Sequence, residues 1–212
     1  METPRHFIWD FDGTLFDTYP VIIENLRLAL GEFGFTCDSV EAMGLMLTNI
    51  PTARNHYADR FGFDRKELES AYLRHHRTAT EQLRAQPMEG AREVLERIRD
   101  TGRHSYIFTH RHSGETLAYL RKYGLDEFFR DIVAPDTEGF APKPAPDAVL
   151  YLMEKYGMSP DSAVMIGDRN CDLGSGRNAG IRCAHLICPA VPETLECDWK
   201  LENLREMLEK VK

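Results

Sequence analysis

One short segment near the N-terminus constrains the fold more than any other part of the chain. Residues 7–11 read Phe-Ile-Trp-Asp-Phe, an apolar run interrupted by a single carboxylate. Parallel strands that are covered on both faces have this composition, because neither face meets water. Gly13 ends the run, so we expect Asp10 and Asp12 at the carboxyl end of a buried strand. In open α/β sheets, ligands bind at that edge.

The spacing of these two carboxylates carries a second constraint. Alternation along a strand places Asp10 and Asp12 on the same face, two residues apart. Neighbouring carboxylates that lose hydration repel each other, and they need a cation, a shared proton or a catalytic role. An Asp-Gly turn with a solvated second carboxylate is the structural alternative. The Gly13-Thr14-Leu15 sequence that follows favours the functional interpretation.

From residue 88 onward, apolar strands alternate with amphipathic helices. The predicted strands are 106–108, 131–134, 163–167 and 182–187. Such alternation implies right-handed crossovers and a parallel sheet with helices on both faces. The tail from Asp198 onward is predicted as a terminal helix that carries Leu201, Leu204 and Leu208.

Residues 17–87 follow a different pattern, in which helical apolar spacing appears without a convincing strand. A small helical bundle would bury these stripes. The sequence therefore predicts the α/β class, with a doubly wound (Rossmann-like) parallel-sheet core domain at 1–16 and 88–212. An all-helical cap domain at 17–87 is inserted into it.

Charge and cysteine content restrict the classes of partner. The formal net charge of -8 argues against nucleic acid and anionic membranes, which both attract basic surfaces. No apolar run has the length of a signal peptide or a bilayer span. Five cysteines without a C-x-x-C pair suggest neither a disulfide framework nor a zinc site. We therefore expect a soluble, cytoplasmic protein.

Further polar residues follow the later strands. Thr109 comes after the second predicted strand, Lys143 lies between two prolines before a helix, and residues 167–172 read Gly-Asp-Arg-Asn-Cys-Asp. Each has a structural explanation when taken alone: a helix cap, a surface lysine, a turn with a capping carboxylate. Their joint occurrence at strand ends indicates a single site.

These segments resemble the four motifs of the haloacid dehalogenase-like (HAD) hydrolases, in the branch of phosphoglycolate phosphatase-like enzymes. The first motif is matched by Asp10-Phe11-Asp12-Gly13-Thr14-Leu15, and Thr109, Lys143 and residues 167–172 match the other three in order. The resemblance implies a helical cap inserted after the first motif. It also implies a Mg²⁺-dependent phosphatase of a small phosphorylated metabolite.

The resemblance also implies roles for individual residues. Asp10 would be the nucleophile that forms an aspartyl-phosphate, and Asp12 the general acid and base. Thr109 and Lys143 would bind the phosphoryl oxygens. A phosphate dianion cannot approach several carboxylates unless a divalent cation intervenes, and Mg²⁺ prefers oxygen ligands.

For the metal, the family pattern assigns Asp10 and Asp168 as direct ligands, together with the backbone carbonyl of Asp12. Asp172 would hold a metal-bound water or orient Lys143.

Four further residues differ from the family pattern or lie outside its motifs. His110 and Arg111 stand where many relatives have Asn and Lys. We expect His110 to contact the substrate and Arg111 to face solvent. Cys171 is expected to be a small packing residue, because Mg²⁺ prefers oxygen. Arg54, in the part of the cap that covers the substrate in related enzymes, is expected to bind an anionic group of the substrate.

Two alternatives remain at this stage. A phosphomutase of the β-phosphoglucomutase type shares all four motifs. A binding or regulatory module would keep the fold without turnover. The paired carboxylates argue against the second alternative, since a module without catalysis has no physical need to keep them at a cost in stability.

Overall fold

The computed structural model describes residues 3–137, 139–188 and 196–211. It contains two compact units. One is formed by the chain up to Asp17 together with the chain from Gln86 onward, and we call it the core. The other is Thr18–Ala85, which we call the cap. Within the described residues, no helix is both long enough and apolar enough to cross a bilayer.

The core holds the strands of the protein. In chain order they are β1 (His6–Trp9), β2 (Phe16–Asp17), β3 (Gln86–Pro87), β4 (His104–Phe108), β5 (Phe129–Val133), β6 (Ala163–Gly167), β7 (Arg182–Leu186) and β8 (Trp199–Leu201). β2 and β3 pair antiparallel as a two-stranded ribbon, so that Asp17, Gln86 and Pro87 belong to the core although the sequence pattern placed them in the cap.

The other six strands form one parallel sheet in the order β5-β4-β1-β6-β7-β8. β1 lies inside the sheet, where Ile8 pairs with Tyr106 on one side and Met165 on the other. The chain continues to β4 on one side of β1 and to β6 on the other. The strand order therefore reverses beside β1, which is where doubly wound sheets open a crevice for ligands. The predicted fold class is confirmed.

β1 ends earlier than the apolar run suggested. Trp9 is its last residue, so Asp10 and Asp12 lie in the loop after the strand rather than side by side on one strand face. The backbone N–H of Asp10 still donates to the carbonyl of Ile166, at 2.9 Å. Asp10 is thus held directly at the carboxyl edge of the sheet, while Asp12 lies in the turn beyond it.

The cap consists of helices α1 (Tyr19–Gly31), α2 (Ser39–Thr48), α3 (Ile50–Phe61) and α4 (Arg65–Glu81). Side chains of Asp38, Asn49 and Asp64 accept the first backbone N–H groups of α2, α3 and α4, which is the usual reason why such residues begin helices. The predicted apolar stripes are buried within this unit, for example Leu26 in α1 and Leu68 in α4.

The core helices are α5 (Ala91–Asp100), α6 (Ser113–Lys122), α7 (Asp147–Tyr156), α8 (Asn170–Asn178) and the short α9 (Met207–Lys210). The prediction of a continuous terminal helix from Asp198 was wrong. Leu201 lies in β8, where its carbonyl accepts the N–H of Ile187 at 2.8 Å, and Leu204 begins a 3-10 turn before α9. The open edge of β7 offers backbone hydrogen bonds that local apolar spacing does not reveal.

Candidate active site

Lys143 connects two carboxylates at the carboxyl edge of the sheet. Its Nζ lies 2.5 Å from Oδ1 of Asp10 and 2.8 Å from Oδ1 of Asp172. Asp10 follows β1, Asp172 lies in the first turn of α8 after β6, and Lys143 lies in the loop before α7. All three side chains are shielded from solvent. A buried ion pair is weak evidence for stability, and such a cluster points to a function.

The protonation states of this triad follow from its burial and its charges. Burial, together with the neighbouring Asp172, raises the pKa of Asp10 to about 6. Burial alone would raise the pKa of Asp172, but the cations Lys143 and Arg169 lower it. The two carboxylates raise the pKa of Lys143 although burial acts in the opposite direction. Lys143 is therefore a permanent cation at neutral pH.

Three carboxylates could hold one metal ion. Ligand oxygens of Asp10, Asp168 and Asp172 all lie within 4.8 Å of one another, and the three residues are buried. Oδ2 of Asp10 is buried and has no hydrogen-bond partner among the described residues, as expected of an atom that binds a ligand. Oδ1 of Asp168 accepts the hydroxyl of Thr14 at 3.2 Å. This donor set of oxygens fits a hard divalent cation.

Gly167, the last residue of β6, allows the close approach of Asp172. A Cβ atom added to Gly167 would lie 2.2 Å from Cβ of Asp172. Gly174, two residues after Asp172 in α8, faces Pro144 in the same way, with a Cβ–Cβ separation of 2.8 Å. Because these two glycines lack a Cβ atom, α8 can pack closely against both the end of β6 and the loop that carries Lys143. Neither glycine has a role that local sequence pattern predicts.

The side chain of Arg111 is buried, with 8% of its surface exposed, so the prediction that it faces solvent was wrong. Its Nη2 donates to Oδ1 of Asp12 at 2.7 Å, and its Nη1 donates to Glu115 at 2.9 Å. Its guanidinium lies over the rings of Phe11 and Tyr119, at 5.7 and 5.5 Å from their centroids. Asp12 and Phe11 lie about a hundred residues earlier in the chain, which explains why local pattern did not reveal the burial of Arg111.

Thr109 and His110 follow β4, and His110 links this segment to the loop of Lys143. The hydroxyl of Thr109, which is buried, accepts the backbone N–H of Arg111 at 3.0 Å. Nε2 of His110 accepts the backbone N–H of Lys143, also at 3.0 Å. Burial, and then the charge of Lys143, lowers the pKa of His110 to about 4. His110 is thus neutral at pH 7, and its proton is on Nδ1 because Nε2 acts as an acceptor.

Cys171 and Arg54 complete the residues singled out in the sequence. Burial, then Asp172, raises the pKa of Cys171 to about 11, so it is a thiol rather than a thiolate and a poor metal ligand. Arg54 lies in α3 of the cap, where Nη2 donates to Glu69 at 2.5 Å and the guanidinium covers the ring of Tyr72. Contact between Arg54 and a substrate stays a prediction.

Fold and site together define a Rossmann-like α/β hydrolase with a lysine-bridged acidic centre at the carboxyl edge of its sheet. The family model of the haloacid dehalogenase-like hydrolases matches residues 7–186. The chain belongs to that family, as the motifs predicted. The predicted enzyme class, a phosphatase of this family, is also confirmed.

Individual relatives agree with this assignment. The chain is 30% identical to the pyrophosphatase PpaX of Halalkalibacterium halodurans, over 84% of this chain and 80% of that protein. It is 26% identical to phosphoglycolate phosphatase 1 of Pseudomonas aeruginosa, over 97% and 79% of the two chains. A predicted phosphoglycolate phosphatase from Haemophilus somnus has the same fold, with a TM-score of 0.86 over the whole of both chains at 18% identity.

Proposed function

We propose that the protein hydrolyses the phosphate ester of a small metabolite, with Mg²⁺ as cofactor and an aspartyl-phosphate on Asp10 as the intermediate. The observation that carries this proposal is the environment of Asp10. This carboxylate is buried beside Lys143, and within the part of the chain that the structure describes its Oδ2 has no hydrogen-bond partner. A carboxylate held in this way can act as a nucleophile toward phosphorus.

The proposed reaction has two halves. In the first, a carboxylate oxygen of Asp10 bonds to phosphorus, the bond from phosphorus to the ester oxygen breaks, and Asp12 donates a proton to that oxygen. In the second, water attacks the phosphorus, Asp12 accepts a proton from it, and the carboxylate of Asp10 leaves. One group serves as acid and then as base, which is efficient when the two steps share a geometry.

The other core residues supply charge and hydrogen bonds. Lys143 would neutralise phosphoryl oxygens as a compact cation, and Thr109 and His110 are proposed to contact the phosphoryl group. Asp172 holds Lys143 by the ion pair described above.

We assign Asp10, Asp168 and the backbone carbonyl of Asp12 as the residues that would hold Mg²⁺, with Asp172 beside them. When bound, the cation would offset the repulsion between the phosphate and these carboxylates.

The substrate class is proposed from the relatives. Their names make 2-phosphoglycolate and inorganic pyrophosphate the first two compounds to test. Pyrophosphate is an anhydride and not an ester, and it is kept as a second candidate because PpaX is 30% identical to this chain. A sugar phosphate that is isomerised rather than hydrolysed would instead support the phosphomutase alternative. We propose that Arg54 in the cap binds the anionic group that distinguishes the true substrate.

Asp10→Asn tests the mechanism. Phosphate release should fall to background, while thermal unfolding stays close to that of the wild type, because the two side chains have the same shape. The intermediate is sought by mass spectrometry of acid-quenched reactions, as a phosphorylated peptide that contains residue 10. Asp100→Asn, an exposed carboxylate in the last turn of α5, is the matched control and should retain full activity. A well-folded Asp10→Asn protein with substantial turnover would rule out the aspartyl-phosphate.

A further inference from the structure

Arg111 is a buried cation that the reaction scheme above does not use. Both of its bonds to Asp12 end on the same oxygen, since Nη2 and Nε donate to Oδ1 at 2.7 and 3.3 Å. The carboxylate of Asp12 itself is 21% exposed and lies in the loop after β1. A short side chain in a turn has several rotamers available, so a fixed partner has a strong influence on its orientation.

Arg111 itself is held from three directions. Glu115, in the first turn of α6, binds Nη1 at 2.9 Å. The rings of Phe11 and Tyr119 pack against the guanidinium, and Phe11 in turn stacks on Phe16 with centroids 4.5 Å apart. A planar guanidinium fixed by stacking and by a second carboxylate loses little freedom when it binds Asp12. It is therefore a rigid support and not a flexible surface charge.

We propose that Arg111 is a positioning residue for Asp12, and that Glu115 acts through Arg111 to the same end. The inference rests on the proposed function, in which Asp12 donates a proton to the leaving oxygen as the bond between phosphorus and that oxygen breaks. Arg111 donates its hydrogen bonds to Oδ1 of Asp12. These bonds fix the rotamer of Asp12 in which its carboxyl group can donate a proton to the leaving oxygen.

This role differs from that of a purely structural ion pair in one measurable respect. If Arg111 positions the acid, its loss harms the expulsion of poor leaving groups, which need a proton, and spares good ones, which do not. A structural ion pair would affect both leaving groups alike, through the fraction of folded enzyme. The dependence on the leaving group therefore separates the two.

The experiment compares wild type, Asp12→Ala, Arg111→Met, Arg111→Lys and Glu115→Gln. Each is mixed with an alkyl phosphate and with p-nitrophenyl phosphate in Mg²⁺, and release of the alcohol or phenol is followed in a single turnover. Arg111→Met should slow the alkyl ester by roughly ten- to a hundredfold, because a displacement of about 1 Å has that effect. It should slow the aryl ester by less than about threefold, with little change in KM.

The other variants keep the test decisive if Arg111→Met folds poorly. Arg111→Lys retains a positive charge and an N–H donor group, so it should recover part of the rate on the alkyl ester. Glu115→Gln should lose less activity than Arg111→Met, and again more on the alkyl ester than on the aryl ester. Equal losses on the two esters in all the Arg111 and Glu115 variants that fold would overturn the inference. So would wild-type rates on both esters.

Asp12→Ala distinguishes this failure from a failure of the proposed function. If Asp12→Ala loses the alkyl reaction selectively and the Arg111 and Glu115 variants do not, only the positioning role is wrong. If Asp12→Ala slows both esters equally in the single turnover, or wild type hydrolyses neither, the proposed function itself is wrong.

Discussion

Gly167→Ala is the change whose consequences the structure defines most sharply. The added methyl group would begin 2.2 Å from Cβ and 2.8 Å from Cγ of Asp172. Carbon atoms in ordinary contact are about 3.5–4.0 Å apart, so Asp172 has to retreat by more than about 1 Å. Asp172 is bound to Lys143 at 2.8 Å, and a retreat of that size breaks the bond.

Two effects set the expected magnitude. Overpacking of a buried position costs about 1–3 kcal/mol in the free energy of unfolding. For a protein of this length, this lowers Tm by roughly 2–12 °C. Displacement of the group that orients Lys143 by about 1 Å should lower kcat roughly a hundredfold.

The assay combines thermal unfolding, monitored by circular dichroism, with initial rates on the preferred substrate in saturating Mg²⁺. The control is Gly31→Ala, the same substitution at the end of α1. Apart from its chain neighbours and the backbone of α1, no atom of the described residues lies within 4 Å of the added methyl group there. It should leave kcat unchanged and raise stability by no more than about 1 kcal/mol. A Gly167→Ala enzyme with wild-type Tm and with kcat within about threefold of wild type would refute the reasoning.

Three further predictions concern charge. Lys143→Met leaves two buried carboxylates without their cation and should destabilise the protein by about 3–5 kcal/mol. Lys155→Met, at an exposed pair with Asp131, should leave Tm nearly unchanged, and similar Tm values for the two variants would argue against the buried pairing. Mg²⁺ should raise the Tm of wild type by mass action and leave the Tm of Asp168→Asn nearly unchanged. An equal rise in both proteins would mean that the ion binds away from Asp168. Burial, then the neighbouring His104, lowers the pKa of His6 from its ordinary value of 6.5 to about 4. The folded state therefore binds fewer protons than the unfolded state, and its stability declines as pH falls below about 6.5. Between pH 7 and 5, Tm should therefore fall more steeply for wild type than for His6→Gln, and parallel slopes would contradict this assignment.

Much of the fold was readable from the sequence because its signals are local. The run 163–167 consists of four apolar residues before a glycine, and it is β6 with the predicted bounds. The residues at the strand ends were readable for a related reason. Once the alternation of strands and helices implies a parallel sheet, all carboxyl ends lie at one edge, and Asp10, Thr109 and Asp168 have to be near one another.

Other features depended on contacts between distant segments. Leu201 has spacing that suits a helix, yet it lies in β8, because the open edge of β7 supplies hydrogen bonds that outweigh local preference. Arg111 belongs to a segment that also suits a solvated helix start. Its burial follows from Phe11 and Asp12, about a hundred residues earlier in the chain.

By itself, the sequence determined the strands and helices with strong periodicity, the presence of a helical insertion and the polar residues at the strand ends that are proposed to bind a phosphoryl group. Only the tertiary structure decided which of those groups touch. It pairs Lys143 with both Asp10 and Asp172, and it places Arg111 against Asp12. The physical reason is that charge pairing and close packing act between atoms within a few ångströms of each other. The separation of two side chains in space cannot be read from sequence positions that lie 29, 99 or 133 residues apart.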